Sequence, residues 1–289
     1  MIKVGLIGNL SSIVQQIGQL KNVKDVRVIG KSSVGMMEEL HGKYLTIPEF
    51  NRKELIEASD FLMVEKSRLL LPDLLKLSIR NNKHLYITDF PDLQPEQCAE
   101  LIKLADEAKT MVHIADQSLS ESFQHWVEVN WKEPAYISIF EAQPELPEKI
   151  PYLTRYIFLA LSLYKAMPQK IRVSGIHQPE TGFYFINIRL DFPSFSAFNL
   201  ELLIQPHESH NIRLVLPGQF LTGDFTSHKA YLDAKEISLP APRQHTVAEL
   251  LTHYETEDFH AYSNLSVYHS TLLTLREVLR KIELFTPWK

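Results

Sequence analysis

The amino-acid sequence predicts an α/β domain built on a doubly wound parallel sheet, followed by an α+β domain with a mainly antiparallel sheet. Residues 1–117 alternate short apolar runs with segments of helical periodicity, a pattern typical of parallel strands covered by helices. Residues 118–289 hold mostly strand-like runs and few helices. A chain of 289 residues suits two domains. We therefore expect the boundary between them near residue 117.

The first thirty residues predict a strand, a helix and a second strand. A short apolar run ends at Gly8, and apolar residues from Ile13 to Leu20 follow at helical spacing. A second β-branched run covers Val26 to Ile29. The whole stretch has the size of a βαβ unit, and a Rossmann-like dinucleotide-binding domain opens with such a unit.

The turn after the first strand keeps only part of a phosphate-binding loop. That loop requires the pattern G-x-G-x-x-G, whereas the six residues from Gly8 to Ile13 read GNLSSI. Backbone N–H groups at a helix N-terminus can still bind an anion. Gly8, Asn9, Ser11 and Ser12 are therefore the candidate phosphate contacts.

Further strands and helices alternate through the rest of the first half. The apolar run at residues 61–64 is typical of a strand buried on both faces. Pro95 indicates the start of the clearest helix, since proline suits the first helical turn. We predict helices at residues 34–41, 51–58, 70–82 and 95–109, with strands at 44–47, 61–64, 83–87 and 111–115.

Strands dominate the second half. Its apolar residues alternate in a way that suggests an antiparallel sheet with one face on helices and the other covered or paired with a subunit. Pairing of this face with a second copy of the chain would make the protein a homo-oligomer. We predict helices at 120–130, 152–166 and 263–285, and strands at 136–140, 171–176, 183–190, 198–205 and 212–216.

Composition excludes several classes of function. A formal net charge of −5 and the lack of a basic run argue against nucleic acid as the main partner. No apolar stretch is long enough for a membrane helix and no signal segment is apparent, so we expect a cytoplasmic protein without a membrane partner. The pair His207 and His210 fits a hairpin turn better than a metal site, because zinc requires three or four converging ligands. No metal is predicted.

Two stretches resemble motifs of the glucose-fructose oxidoreductase and inositol dehydrogenase family, often written Gfo/Idh/MocA. The family string D-A-V-V-I-A-T-P-N-H-x-H aligns without a gap with Asp60 to Leu71, and G-K-H-V-L-C-E-K-P aligns with Asn82 to Phe90. The order of the predicted elements is also similar over nearly the whole chain. The resemblance implies a Rossmann-like domain, a substrate domain and hydride transfer with a nicotinamide cofactor.

The same resemblance shows which family residues are altered. Asp89 stands where the family has the lysine that steadies the substrate oxygen, and Lys66 begins the pair that replaces Thr-Pro. The helix that carries an Asp and a His in the family reads here from Tyr152 to Phe158, without either residue. Lys66, Asp89 and Tyr156 are therefore the candidate residues of a remodelled site. Lys66 and Asp89 would either line a ligand pocket or form a salt bridge.

The end of the second strand bears on cofactor choice. A dinucleotide-binding domain that prefers NAD places an acidic residue there, whereas this chain has Lys31 and Ser32, which suit a 2′-phosphate. If a dinucleotide binds, NADP is favoured over NAD. In the other interpretation, Lys31 and the following serines form a solvated turn and no cofactor binds.

Two functions follow from these observations. In the first, the chain is a divergent relative of the family that has lost the standard hydride-transfer residues and acts by ligand binding or assembly. In the second, it is an active NADP-dependent oxidoreductase on a sugar-like or small carbonyl substrate, with Lys66, Asp89 or Tyr156 in non-standard roles.

Overall fold

The computed structural model describes residues 1–21, 23–34, 47–65, 69–115, 121–144, 149–178, 182–224, 229–239, 246–256 and 258–284. The chain divides into two compact units. The first comprises Met1–Asp116 and Gln244–His269, and the second comprises Gln117–Arg243 and Ser270–Lys289. The helix predicted at 34–41 and the strand predicted at 44–47 fall almost wholly outside the described residues.

The first unit contains a five-stranded parallel sheet with the order β2-β1-β3-β4-β5. The central strand is β3, and all four of its residues are buried, as expected for a strand covered on both faces. The predicted Rossmann-like class is therefore confirmed. The elements are β1 Ile2–Asn9, α1 Leu10–Leu20, β2 Val26–Val34, α2 Arg52–Ala58, β3 Phe61–Val64, α3 Pro72–Arg80, β4 His84–Ile87, α4 Pro95–Ala108 and β5 Val112–Ile114.

The second unit contains an eight-stranded sheet with the order β13-β12-β11-β10-β6-β9-β8-β7. Every neighbouring pair is antiparallel except β6 and β9, which confirms the prediction of a mainly antiparallel sheet. The sequence did not reveal the last three strands. The elements are α5 Glu121–Asn130, β6 Tyr136–Gln143, α6 Lys149–Tyr164, β7 Lys170–Gln178, β8 Gly182–Asp191, β9 Ala197–Ile204, β10 Ser209–Leu216, β11 Gln219–Asp224, β12 Lys229–Leu232 and β13 Lys235–Ile237.

Residues 244–269 belong to the first unit, so the expectation that 118–289 form one domain needs correction. Helix α7, Thr246–Thr252, and a 3₁₀ turn at Phe259–Tyr262 lie in this segment, and α8 follows at Leu265–Glu283. The apolar residues Val247, Leu250, Leu251 and Phe259 are buried in the same cluster as the residues of β1. Burial of these side chains against the parallel sheet explains why the segment packs there.

The imidazole of His84 helps to hold this segment. His84 Nδ1 accepts a hydrogen bond from the Met111 N–H at 3.0 Å. The ring lies edge-on to Tyr254 and Phe259, with centroid distances of 5.2 and 4.9 Å. Burial lowers the pKa of His84 to about 4, and the charge of Asp60 opposes this shift only in part. The neutral imidazole is therefore the form that suits the fold.

We expect acid to weaken the first unit through His84. The folded-state pKa of about 4 lies below the ordinary value of 6.5, so the unfolded chain binds the proton first as the pH falls. The free energy of unfolding should therefore fall by about 3 kcal/mol as the pH is lowered from 6.5 to 4. Hydrogen exchange of the β4 amides, measured at pH values across this window, checks the loss.

The matched variant is His84→Asn, which keeps an acceptor for the Met111 N–H but does not titrate in this range. It should exchange faster than the wild type above pH 6.5, because the ring contacts are lost, and should respond less to acid. The exposed His207→Asn serves as control. Equal acid responses of the wild type and His84→Asn would contradict this account.

Candidate functional site

The carboxyl ends of β1, β3 and β4 meet at one edge of the parallel sheet, where ligands bind in open α/β folds. The strand register places Ile7 beside Val64, and Val64 beside Ile87. Asn9 ends β1, Glu65 follows β3 and Thr88 follows β4. These three residues therefore define the candidate site of the first unit, which we call the strand-end site.

Glu65 is the central residue of the strand-end site. Its Oε2 accepts a hydrogen bond from the Asn9 backbone N–H at 2.7 Å, and its Oε1 accepts one from Asn9 Nδ2 at 3.0 Å. A Cβ atom on Gly8 would lie 2.9 Å from the Glu65 side chain, which is closer than real contacts allow. The glycine that remains from the phosphate loop thus permits the close approach of a carboxylate of the protein itself.

Glu65 is not among the site residues predicted from the sequence. In the ungapped alignment Glu65 takes the place of the alanine that precedes Thr-Pro in the family string. The residue predicted for this site was the next one, Lys66. Lys66 lies outside the described residues, so its predicted pairing with Asp89 stays a prediction.

Residues 88–90, which follow β4, also make contacts within the first unit. Thr88 Oγ1 donates a hydrogen bond to the Glu65 backbone carbonyl at 2.5 Å. Asp89 is exposed, and its Oδ1 accepts a bond from the Phe90 N–H at 2.8 Å. Phe90 stacks on the Tyr268 ring with a centroid distance of 5.8 Å. An aromatic ring and an exposed carboxylate thus stand where the family resemblance implies proline and lysine.

Lys31 and Ser32 lie inside β2 and are 6% and 8% exposed, so the interpretation of a solvated turn is wrong. The Lys31 ammonium lies 3.0 Å from Glu49 Oε2 and donates to the Ile47 carbonyl at 2.9 Å. Ser33 donates to Glu49 from its N–H at 2.6 Å and also from its hydroxyl. These partners come from residues 47–49, which the sequence pattern did not link to this strand.

The carboxylate of Glu49 neutralises the charge of Lys31. Burial by itself raises the pKa of Glu49, but the hydrogen bonds from Ser33 and the contact with Lys31 outweigh burial and lower it below the ordinary value. Glu49 is therefore ionised at neutral pH. A 2′-phosphate would have to displace Glu49 from Lys31. The backbones of Ser11 and Ser12 form the start of α1, and their side chains are outside the described part of the chain.

A second polar cluster lies in the second unit and includes the predicted residue Tyr156. Tyr156 is fully buried on α6, and its hydroxyl donates a hydrogen bond to Glu141 Oε1 on β6. His210 on β10 pairs with Glu141 in the strand register, and its Nδ1 lies 3.3 Å from the same oxygen. We call Glu141, Tyr156 and His210 the buried triad.

The pKa shifts in the buried triad favour the neutral forms of Glu141 and His210. Burial raises the pKa of Glu141, while the bond from Tyr156 and the charge of Arg155 oppose this rise. Burial and then Arg155 lower the pKa of His210 to about 4, against the opposing charge of Asp224. The contact between His210 and Glu141 is therefore a hydrogen bond from a neutral imidazole rather than an ion pair at neutral pH. Tyr156 has no exposed surface, and its hydroxyl is bound to Glu141 inside the second unit.

The described residues contain no group of three His, Cys, Asp or Glu side chains that could hold a metal ion. The same part of the chain has no helix long and apolar enough to cross a membrane.

Comparisons with known proteins bear on the fold. No family model matches the sequence, and no match was found among curated proteins. Solved structures do match. A UDP-N-acetylglucosamine 3-dehydrogenase, GnnA, from Acidithiobacillus ferrooxidans superposes with a TM-score of 0.76 at 14% identity, over 98% of each chain. The dehydrogenase MviM from Clostridium difficile gives a TM-score of 0.73 at 15% identity, over 99% of each chain.

A third similar structure is a biliverdin reductase from Synechocystis sp. PCC 6803 in complex with biliverdin and NADP⁺. It matches with a TM-score of 0.73 at 13% identity, over 97% of this chain and 98% of the reductase. At these identities the likeness concerns the fold. The chain has the fold of Gfo/Idh/MocA-type oxidoreductases, as the resemblance drawn from the sequence implied.

We expect Tyr156→Phe to destabilise the second unit by about 1–3 kcal/mol, because a buried carboxyl group loses a donor. The pKa of Glu141 should rise further above its ordinary value, since the Tyr156 bond lowers it in the wild type. Thermal unfolding and the infrared band of the protonated carboxyl group check both effects.

The matched control is Tyr152→Phe. The Tyr152 ring lies edge-on to Tyr156 at 5.3 Å, and its buried hydroxyl has no hydrogen-bond partner among the described residues. Its removal should leave stability unchanged or slightly increased. A similar loss of stability in the two variants would refute the role of the Tyr156 hydroxyl.

Proposed function

We propose that this chain is a divergent oxidoreductase homologue that has lost the standard hydride-transfer residues and acts by binding a small ligand or by assembly. One observation carries the proposal. The Glu65 carboxylate accepts a hydrogen bond from the backbone N–H of Asn9, the last residue of β1, which directly precedes α1. In a dinucleotide-binding domain the pyrophosphate approaches the N-terminus of this helix.

A pyrophosphate at this position would meet a carboxylate, whose charge has the same sign. It would also have to replace two hydrogen bonds from Asn9 to Glu65. Like charges at close range repel strongly where water is partly excluded. The residues of the strand-end site therefore do not fit a dinucleotide, and of the two predictions, no cofactor or NADP, we favour no cofactor.

The altered catalytic positions support the same proposal. Asp89 is exposed at the position of the family lysine, and its carboxylate caps the adjacent N–H of Phe90. A negative charge there would destabilise the oxyanion that a lysine stabilises. The ligand of this chain is therefore proposed to be a small molecule bound without hydride transfer.

The buried triad favours the second candidate function, an active NADP-dependent oxidoreductase on a sugar-like or small carbonyl substrate. Tyr156 holds a proton that is hydrogen-bonded to Glu141, and reduction of a carbonyl group needs a proton donor. In this alternative the cofactor 2′-phosphate would compete with Glu49 for Lys31. The need for Tyr156 as a proton donor and the need for Lys31 to bind the 2′-phosphate can both be tested.

We further propose a cytoplasmic homo-oligomer that assembles through the sheet of the second unit and has neither nucleic acid nor membrane as a partner. The net charge of −5 supports the exclusion of nucleic acid. Val215 and Phe220, which are 42% and 43% exposed on that sheet, support the assembly.

Titration with NADPH and NADH, followed by nicotinamide fluorescence, tests the proposal. We expect no binding by the wild-type protein at submillimolar cofactor. Glu65→Ala should gain measurable binding, because the Asn9 N–H becomes available and the repelling charge is removed. Glu65→Gln separates the two causes, since it removes the charge but keeps a side-chain acceptor. Glu57→Ala removes an exposed carboxylate of the same unit and serves as control.

Tight NADPH binding by the wild-type protein would overturn the proposal. If the wild type also reduced a carbonyl substrate and Tyr156→Phe lost that activity without losing cofactor affinity, the second candidate function would replace the first.

A further inference from the structure

The loop between β8 and β9 presents an aromatic side chain that the fold does not bury. Phe195 at the tip of this loop is fully exposed. Ser194 and Phe195 have φ angles of 60° and 59°, in the left-handed region. Hairpin turns with two such residues favour Asn-Gly, because a bulky side chain is strained there. Phenylalanine at this position therefore strains the backbone without adding buried apolar surface.

Contacts at the base of the loop fix the position of Phe195. The Phe192 N–H donates to the Ser196 carbonyl at 2.8 Å, and Ser196 Oγ accepts a hydrogen bond from the Ala135 N–H at 3.1 Å. The Phe192 ring stacks on Tyr164 with a centroid distance of 4.2 Å. A partner that binds Phe195 would therefore not have to order the loop, and such ordering is part of the cost of association.

Two other segments meet the loop at Tyr164. The ring of Trp131 lies edge-on to the Tyr164 ring at 5.0 Å. The chain continues from Tyr164 into residues 165–170, where the Gln169 N–H donates to the Asp191 carbonyl at 2.8 Å. The loop and these two segments therefore lie together in the second unit. We call them the hairpin end, which comprises residues 129–135, 165–170 and 192–196.

The hairpin end is both apolar and basic. Val129 and Met167 are exposed in addition to Phe195. Three lysines and one glutamate give this surface a formal charge of +2, whereas the whole chain carries −5. Exposed apolar side chains among cations favour a partner that is apolar and acidic. The charged residues, all of them exposed, are Lys132, Glu133, Lys165 and Lys170.

We propose that the hairpin end docks on an acidic amphipathic segment of another protein, whose apolar side chains cover Phe195 and whose carboxylates pair with the lysines. Aromatic side chains are enriched in the buried cores of protein interfaces and carry much of the binding energy there. Opposite charges around such a contact speed association and select the partner. The inference goes beyond the proposed function and does not depend on the strand-end site.

A second copy of this chain is a poorer occupant of the hairpin end. In a contact about a two-fold axis the same surface is used by both copies. Each hairpin end would then present three lysines to the other. Like charges that face each other across an interface oppose association. Charge therefore favours a different, acidic protein.

Binding of two synthetic peptides to the full chain tests the inference. Both are labelled amphipathic helices of about 18 residues, one of leucine and glutamate and the other of leucine and lysine. Fluorescence anisotropy should show that the acidic peptide binds and the basic peptide does not. Phe195→Asn should raise the dissociation constant of the acidic peptide about tenfold. Lys165→Ala should raise it about threefold.

Phe195→Asn should leave the thermal unfolding temperature unchanged or raise it, because asparagine adopts the left-handed conformation more readily and no buried contact is lost. Its loss of binding is then not a loss of folding. Ile176→Asn and Lys235→Ala are the matched controls and should keep the affinity. Ile176 is exposed at the opposite end of β7 from Lys170, and Lys235 lies on β13 at the opposite edge of the sheet.

Several results would overturn the inference. Failure of the acidic peptide to bind is one, and equal binding of the two peptides is another. Binding to phosphatidylglycerol vesicles that Phe195→Asn abolishes would make a lipid surface the occupant instead. A dimer in sedimentation velocity that Phe195→Asn dissociates would make it a second copy. None of these measurements involves NADPH or Glu65, so the proposed function is tested separately.

Discussion

The hydrogen bonds from Asn9 to Glu65 join the ends of two neighbouring strands in the first unit. A carboxylate near a helix N-terminus is favourable because the backbone N–H groups there carry partial positive charge. Gly8 gives Glu65 room to reach that position, and Thr88 fixes the Glu65 backbone from the neighbouring strand. The ends of three parallel strands are thus joined through one residue. At this edge of the sheet the Asn9 N–H has a hydrogen-bond partner within the protein.

The second unit presents a different electrostatic situation. Its buried triad places a carboxyl group with a raised pKa beside an imidazole with a lowered pKa, so both groups tend toward their neutral forms. A neutral cluster of this kind can hold a proton without a bound counterion. In the first unit, by contrast, the Glu65 carboxylate accepts two hydrogen bonds from Asn9. The proposal of ligand binding depends on that contact, and the alternative of an active oxidoreductase depends on Tyr156.

Much of the fold follows from local pattern. Alternation of apolar runs and helical periodicity was enough to predict β1, β3 and the parallel sheet, because strands buried on both faces have nearly continuous apolar sequences. Residues 244–269 were assigned to the wrong domain, since their return to the first unit depends on burial of side chains such as Val247 among distant residues. Residues Gly30 to Ser33 resembled a loop because they are small or polar. Their partner Glu49 is distant in sequence, and no local pattern reveals it.

The replacement of the third phosphate-loop glycine by Ile13 has a physical explanation. Ile13 stands where the third glycine of the motif would permit close helix–strand packing, and it is fully buried in the core of the first unit. Burial of an isoleucine side chain contributes about 1.5–3 kcal/mol, and glycine inside a helix costs about 1 kcal/mol relative to alanine. The position has thus become part of the core. The same strand–helix turn that places Ile13 in the core places Asn9 against Glu65, so the burial of Ile13 and the contact between Asn9 and Glu65 depend on the same local structure.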